Sequence, residues 1–249
     1  MKTKRFIQLL FSALVLFASF NPSLAQQQPD FLMAKYVSNG LSPTIVQTIK
    51  LQANDPQEQR KLLKDIGDHK FFYTLIYNTK TQTSCYKLDS INKVEGIVPA
   101  GNSVFVLVDA EGNFHGKETF TGDEYYFSGN KGNLEWEITD EKKQIGQYSC
   151  TKANLKNLTG TSVWFTTDIP VSAGPDIYQG LPGLVLEVEA VFEKTDLQSV
   201  SFSDAPEEHN AEALDAAYAK SKPLPISQVF SLKNNFIQMV KQQLETGKK

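Results

Sequence analysis

IPVSAGPDIYQGLPGLVL, residues 169–186, is the stretch on which the fold turns. Pro170, Pro175 and Pro182 each restrict φ, while Gly174, Gly180 and Gly183 open conformations that other residues avoid. Neither a regular helix nor a central strand tolerates that mixture. The segment therefore reads as an ordered loop joining two β-strands. Leu181-Pro182-Gly183-Leu184 suits a type II turn with Pro182 and Gly183 at its centre, which would require positive φ at Gly183. Its apolar flanks point the turn inward, onto the core.

Strands are expected on both sides of this loop. Residues 161–167 and 147–153 precede it, joined by a polar link containing Gly160. Residues 184–193 follow it as the longest strand of the chain, with 199–202 closing the sheet. Further upstream, residues 71–77 (FFYTLIY) and 104–108 (VFVLV) are aromatic or β-branched. Residues 84–88, 114–120, 124–127 and 134–138 alternate between turn signals at Glu111-Gly112-Asn113 and at 129–133. Short turns between consecutive strands imply an antiparallel meander. The fold class is mainly β (α+β): a curved antiparallel sheet wrapped as a half-barrel, with a C-terminal helix. A two-sheet β-sandwich is the alternative.

Helices are few. Residues 56–65 begin with Pro56 behind a capping Asp55 and stop at Gly67. Residues 41–50 suit either strand or helix, and 206–220 a short acidic helix. Lys222-Pro223-Leu224-Pro225 is a rigid extended link. Residues 227–246 carry Val229, Phe230, Leu232, Phe236, Ile237, Met239, Val240 and Leu244 in an amphipathic helical pattern.

The beginning of the chain has the three parts of a secretory signal. Lys2, Lys4 and Arg5 precede an apolar run over 6–20, and Ser23-Leu24-Ala25 offers a small-residue cleavage site. The expected organisation is a signal peptide over 1–25, an antiparallel β domain over 26–222, and a linker and helix over 223–249. The expected location is periplasmic or secreted, with no transmembrane segment after cleavage. Loss of three bases takes the net charge from −3 to about −6. Such a mildly acidic, mixed surface lacks the footprint of a nucleic-acid binder. It also lacks a polybasic lipid-binding cluster.

In an oxidising compartment Cys85 and Cys150 are most simply bridged, the alternative being two buried thiols. The histidines His69, His115 and His209 have no metal-ligand spacing and read as surface residues. Hydrolase elbows, phosphate loops and dinucleotide fingerprints are absent, so neither a metal nor a cofactor is expected and no catalytic residue is assigned. Glu187 and Glu189 on one strand face are the carboxylate pair that a hydrolase of envelope polymers would use. A solvated sheet face accounts for them more simply.

Gly180-Leu181-Pro182-Gly183-Leu184-Val185 resembles the name motif of the GLPGLI family of exported Bacteroidetes proteins, with Val185 where Ile is usual. Trp136, Ile145-Gly146, Tyr148 to Ala153, Val163 to Thr166, Ile169-Pro170 and Gly174-Pro175 follow in the order of that family. The resemblance covers Trp136 to Val188. It implies an exported, mainly β protein and no particular activity. Many relatives carry a second Cys where this chain has Leu155, which would leave Cys85 as the partner of Cys150.

The function expected from these features is non-enzymatic binding of an envelope partner protein or an apolar ligand. A hydrolase, or a structural role at the envelope, is the alternative. The binding candidates are Trp164, Gly174, Pro175, Tyr178, Gly180, Leu181, Pro182, Gly183 and Leu184, because ordered loops on rigid sheets often carry recognition.

Overall fold

The computed structural model describes residues 29–53, 55–204 and 211–246, with side chains as far as 243. The signal-peptide reading and His209 fall outside them. The chain begins with β1 (Phe31–Asn39), followed by a helical hairpin of α1 (Pro43–Gln52) and α2 (Pro56–Asp68). A meander comes next: β2 (Lys70–Asn78), β3 (Thr83–Asn92), β4 (Gly101–Val108), β5 (Asn113–Phe120) and β6 (Asp123–Asn130). A second comprises β7 (Trp136–Ile145), β8 (Tyr148–Leu155), β9 (Ser162–Thr166), β10 (Leu184–Glu189) and β11 (Lys194–Ser203). The chain closes with α3 (Ala211–Tyr218), β12 (Leu224–Pro225) and α4 (Ile226–Thr246).

Among the described residues the strands form one open sheet of twelve, in the order β12-β6-β5-β4-β3-β2-β1-β11-β10-β9-β8-β7. A curved, mainly β architecture with a C-terminal helix is therefore what the chain adopts, and the sandwich is not. All ladders are antiparallel except the short β12–β6 pair. The two meanders are joined through β1, which pairs with β2 on one side and β11 on the other. This strand was not expected from sequence. Its outward positions Phe31, Met33 and Val37 are apolar too, which blurs the period-two signal.

Directly paired residues share a face. Ala34, Leu75, Tyr86, Val106, Gly116 and Phe127 consequently form one row across six strands, on the inner face. Helix α4 covers that face with Ile226, Val229, Phe230 and Ile237. Asn234 ties it down by accepting from the Thr159 amide at 2.9 Å and donating to the Asn157 carbonyl at 3.1 Å.

Local chemistry explains the helix starts. Ser42 Oγ accepts from the Ile45 amide at 3.2 Å, so residues 41–50 resolve as helix, with Pro43 in the first turn. Asp55 caps α2 as expected, but that helix runs past Gly67 to Asp68. Gly67 is set by space: a Cβ there would meet Leu41 Cδ1 at 2.7 Å.

The loop between β9 and β10 is ordered, buries most of its apolar side chains and lies between adjacent strands, as its glycines and prolines required. Its turn chemistry differs from expectation. Gly183 does not have positive φ; Gly180 does, at 85°, as does Asp176 at 53°. The tight turn is at Pro175-Asp176-Ile177-Tyr178, where the Tyr178 amide donates to the Pro175 carbonyl at 3.1 Å. What Gly183 supplies is close approach, for a Cβ would sit 1.9 Å from the Thr166 carbonyl oxygen. Strand β10 is also short, ending at Glu189, because the Ala190 amide turns back to the Glu193 carbonyl at 3.0 Å.

The expected Cys85–Cys150 bridge is absent. Both thiols are buried and free, on β3 and β8 with β2, β1, β11, β10 and β9 between them. Strands spaced about 4.8 Å apart hold them beyond the roughly 7 Å Cα limit of a disulfide. His69, read as a surface residue, is buried against Phe71 and accepts from the Val94 amide at 3.2 Å.

Candidate functional site

The inner face, the Gly-Pro loop and α4 enclose a cleft. One meander contributes Ser103 on β4 and Glu118 on β5, which stand in one row with Tyr125 on β6. The loop contributes Asp176 and Tyr178, the turn after β10 contributes Glu193, and α4 contributes Lys233. The outer chamber has a volume of about 70 Å³ open to the centres of water molecules. An inner chamber of about 10 Å³, bounded by Tyr73, Tyr86, Tyr178, Asp176, Glu193 and Ser103, shares the last four of these with it. By these volumes the outer chamber holds a handful of waters and the inner one about a single water.

The cleft is held open by polar interactions. Lys233 Nζ lies 2.7 Å from Glu118 Oε2, and Tyr125 donates to Glu118 Oε1. Glu118 is almost fully buried, with 5% of its side chain exposed. Burial would lower the Lys233 ammonium, but Glu118, Asp176 and Glu193 together raise it above the ordinary lysine range. Tyr73 donates to the Ser103 carbonyl at 3.2 Å and stacks on Tyr86 with centroids 4.7 Å apart.

Asp176 and Glu193 are not held in a close ion pair of that kind. Burial, with Lys233 in part opposing it, pushes the Asp176 carboxyl up to about 6. Burial and the neighbouring Asp176 carboxylate push Glu193 up to about 7. Asp176 Oδ1 and Ser103 Oγ are buried without a hydrogen-bond partner of normal geometry, although the Ser103 hydroxyl is close enough to offset part of the rise at Asp176. Glu193 Oε1 accepts only a long bond, 3.3 Å, from Thr195 Oγ1.

The pH dependence follows. Both carboxyls titrate higher in the folded protein than in the unfolded chain, so folding favours their protonated forms. This contribution is complete below the ordinary carboxyl range and is lost as pH rises through about 6 and about 7. The ligand-free protein should therefore melt at a higher temperature at pH 5 than at pH 8. The gap should shrink in the Asp176→Asn/Glu193→Gln double variant when both are followed by calorimetry. An undiminished gap would place the titrating groups elsewhere.

The residues expected at a site are only partly brought together. Pro175 and Tyr178 line the cleft. Leu181 and Leu184 are buried in the core, at 2% and 0% exposure. Gly174 and Gly183 serve close backbone approach, Gly180 serves a positive φ, and Pro182 is exposed. Trp136 Nε1 donates to the Gln179 carbonyl at 2.8 Å and anchors this stretch to β7. Trp164 is not part of the cleft. It pairs with Lys152 and Glu187 and lies under Lys143, whose Nζ is 4.3 Å from the ring centroid. Glu187 binds Lys143 at 2.6 Å, and neither it nor Glu189 lines the cleft.

Sequence reading overlooked Glu118, Asp176, Glu193 and Lys233. Two of them had a legible signal. Glu118 continues the buried register of Phe114 and Gly116, and Lys233 falls between Phe230 and Ile237 on the apolar stripe of α4. A charge on a buried face needs a partner.

A larger groove of about 530 Å³ lies on the other side of the sheet and includes Cys85, His115 and Asp215. It is not an activated thiol site. Burial pushes the Cys85 thiol up to about 11, and it lowers His115 despite Asp215 at 3.0 Å. Among the described residues no group of three or more His, Cys, Asp or Glu side chains is arranged to hold a metal ion. No described helix is long and apolar enough to cross a membrane.

A family described as a protein of unknown function (Porph_ging) matches residues 154–187, the segment from the end of β8 to β10. That match lies inside the Trp136 to Val188 stretch. No curated protein matches the chain. Among solved structures it is similar to PNGF-II in two crystal forms, P21 and C2, at 16% and 15% identity with TM-scores of 0.45 and 0.44. The alignments cover 79% and 78% of this chain but 31% and 30% of theirs, so the chain spans less than a third of the length of PNGF-II. An uncharacterized conserved protein from Thermus thermophilus aligns over 79% of this chain and 91% of its own, at 5% identity and a TM-score of 0.35.

Proposed function

We propose that this protein is an exported ligand-binding domain of the bacterial envelope, and that its ligand enters the cleft between the inner sheet face, the Gly-Pro loop and α4. The observation that carries this reading is a pair of buried polar atoms, Asp176 Oδ1 and Ser103 Oγ, that lack a hydrogen bond of normal geometry at the wall of a cleft with room beside them. A purely structural core would pair or exclude such groups. The signal-like beginning of the chain and the GLPGLI-type motif at Gly180 to Val185 support export. The Porph_ging match over the same loop is consistent with that placement.

Native mass spectrometry of protein purified gently from the periplasm tests the reading. The wild type should carry an added mass that is lost on denaturation. Ala190→Phe, which adds bulk to the cleft lining beside Val191 and Phe192, should abolish it while leaving the melting temperature within a few degrees. A ligand retained in full by the blocked variant would place the site elsewhere.

A second reading is favoured by one specific feature. Carboxyls held near 6 and 7 are suited to donate protons at neutral pH. If the domain hydrolyses envelope polymers, Asp176 and Glu193 are the groups to carry it, in place of the ion-paired Glu187. Polymer cleavage that disappears in Glu193→Gln and persists in Glu187→Gln would favour the hydrolase.

A further inference from the structure

We propose that the cleft accepts a primary alkylammonium group, its head in the inner chamber between the carboxyls of Asp176 and Glu193 and its stem along the apolar wall of the outer chamber. This inference rests on the reading of the cleft as the ligand site and specifies the chemistry of the ligand.

Four observations converge on it. The inner chamber has room for one water-sized group, and an –NH3+ head has that size. Its wall combines acceptors with aromatic surface. Asp176, Glu193 and Ser103 offer oxygens, while Tyr73, Tyr86 and Tyr178 offer rings of the kind that attract cations. The polar atoms are short of well-formed hydrogen bonds: Asp176 Oδ1 is buried with no donor at normal geometry, and Ser103, 7% exposed, has an Oγ with none either, although it lies close to Asp176. Finally, the charges do not balance. Among the described residues Lys233 is the cation lining the two chambers, and it is bound to Glu118. An incoming ammonium supplies both the missing charge and the missing donors. The outer chamber suits the hydrocarbon behind it, with Phe120, Leu158, Val191 and Ile237 in its lining.

A metal ion is a poorer occupant, since no such ligand group is assembled among the described residues. A guanidinium is broader than the inner chamber permits.

The groups facing the head are Asp176 and Tyr178 from the loop, Glu193 from the turn after β10, and Tyr73 and Tyr86 from β2 and β3. Glu118 and Lys233 stand behind them, with Tyr125 on Glu118. An ammonium binds the ionised forms of Asp176 and Glu193, so its entry displaces protons from them. Affinity therefore rises with pH over the range in which the amine itself stays charged.

Calorimetric titration with n-hexylammonium at pH 8 and pH 5 tests this, with 1-hexanol as the uncharged control. Hexylammonium should bind at least ten times more tightly at pH 8 than at pH 5, and at least ten times more tightly than hexanol at pH 8. Asp176→Asn/Glu193→Gln should lose at least ten-fold in hexylammonium affinity and with it the preference over hexanol. A short blocked peptide containing one lysine is the second arm. Binding comparable with hexylammonium identifies the source as a partner's lysine side chain, and hexylammonium binding alone identifies a free amine. Equal affinity for hexylammonium and hexanol in the wild type at pH 8 would overturn the proposal, even if the double variant did not fold. If amines fail to bind while Ala190→Phe still strips the endogenous ligand, the ammonium assignment falls and the cleft remains the site. If Ala190→Phe has no effect, the cleft itself is wrong.

Discussion

Lys233→Met is expected to destabilise the protein by about 3–5 kcal/mol, the range for removing one partner of a buried ion pair. Glu118 has 5% of its side chain exposed and takes its charge balance from Lys233 Nζ at 2.7 Å, with Tyr125 on its other oxygen. Without the ammonium, the Glu118 carboxylate faces Asp176 and Glu193 across the cleft with no compensating cation among the residues that line it. The methionine is close to lysine in length and keeps most of the packing along the helix, so the loss reports charge more than volume. Denaturant unfolding checks the result, and the double variant Glu118→Gln/Lys233→Met provides the control. It should recover most of the loss, because neither half of the pair is then left buried alone. A single variant within about 1 kcal/mol of wild type would mean that water reaches Glu118.

The second large effect is expected at Gly183. Replacement by alanine should cost about 3 kcal/mol, at the upper end of the range for overpacking a core. The added methyl would lie 1.9 Å from the Thr166 carbonyl oxygen and 2.6 Å from its carbon. Both are backbone atoms at the β9–β10 junction, where no side chain can rotate away. Either the ladder between Leu184 and Thr166 opens or the loop lifts from the core. Gly180→Ala is the comparison. There φ is 85° but the nearest atom, Lys131 Cβ, is 3.5 Å away, so only the backbone strain of about 1 kcal/mol is expected. The order of the two melting temperatures separates the mechanisms: Gly183→Ala lower than Gly180→Ala indicates close approach, and the reverse order indicates turn conformation.

The two glycines show how far local sequence reaches. Gly180 and Gly183 flank the same Leu-Pro pair, and the Pro-Gly dipeptide points to Gly183 as the residue with positive φ. In the fold the positive φ belongs to Gly180, and Gly183 answers to a strand that the loop sequence does not contain. In the same way, strand β1 escaped notice because Phe31, Met33 and Val37 on its outer side are as apolar as Leu32, Ala34 and Tyr36 on its inner side. Its pairing with both β2 and β11 is what unites the two meanders in one sheet.

The amino-acid sequence by itself determined the strand-rich class, the antiparallel succession of neighbours, the Asp55-capped helix, the C-terminal helix and the ordered loop over 169–186. All of these depend on periodicity, turn residues and caps acting over a few positions of chain. Tertiary structure alone decided that Cys85 and Cys150 stay apart, that Trp164 looks away from the cleft, and that Glu118, Asp176, Glu193 and Lys233 meet. The last grouping joins residues as far apart as 118 and 233. Their proximity comes from sheet curvature and from the docking of α4, and the Asp176 and Glu193 carboxyls are pushed up only once folding has taken them largely out of bulk water.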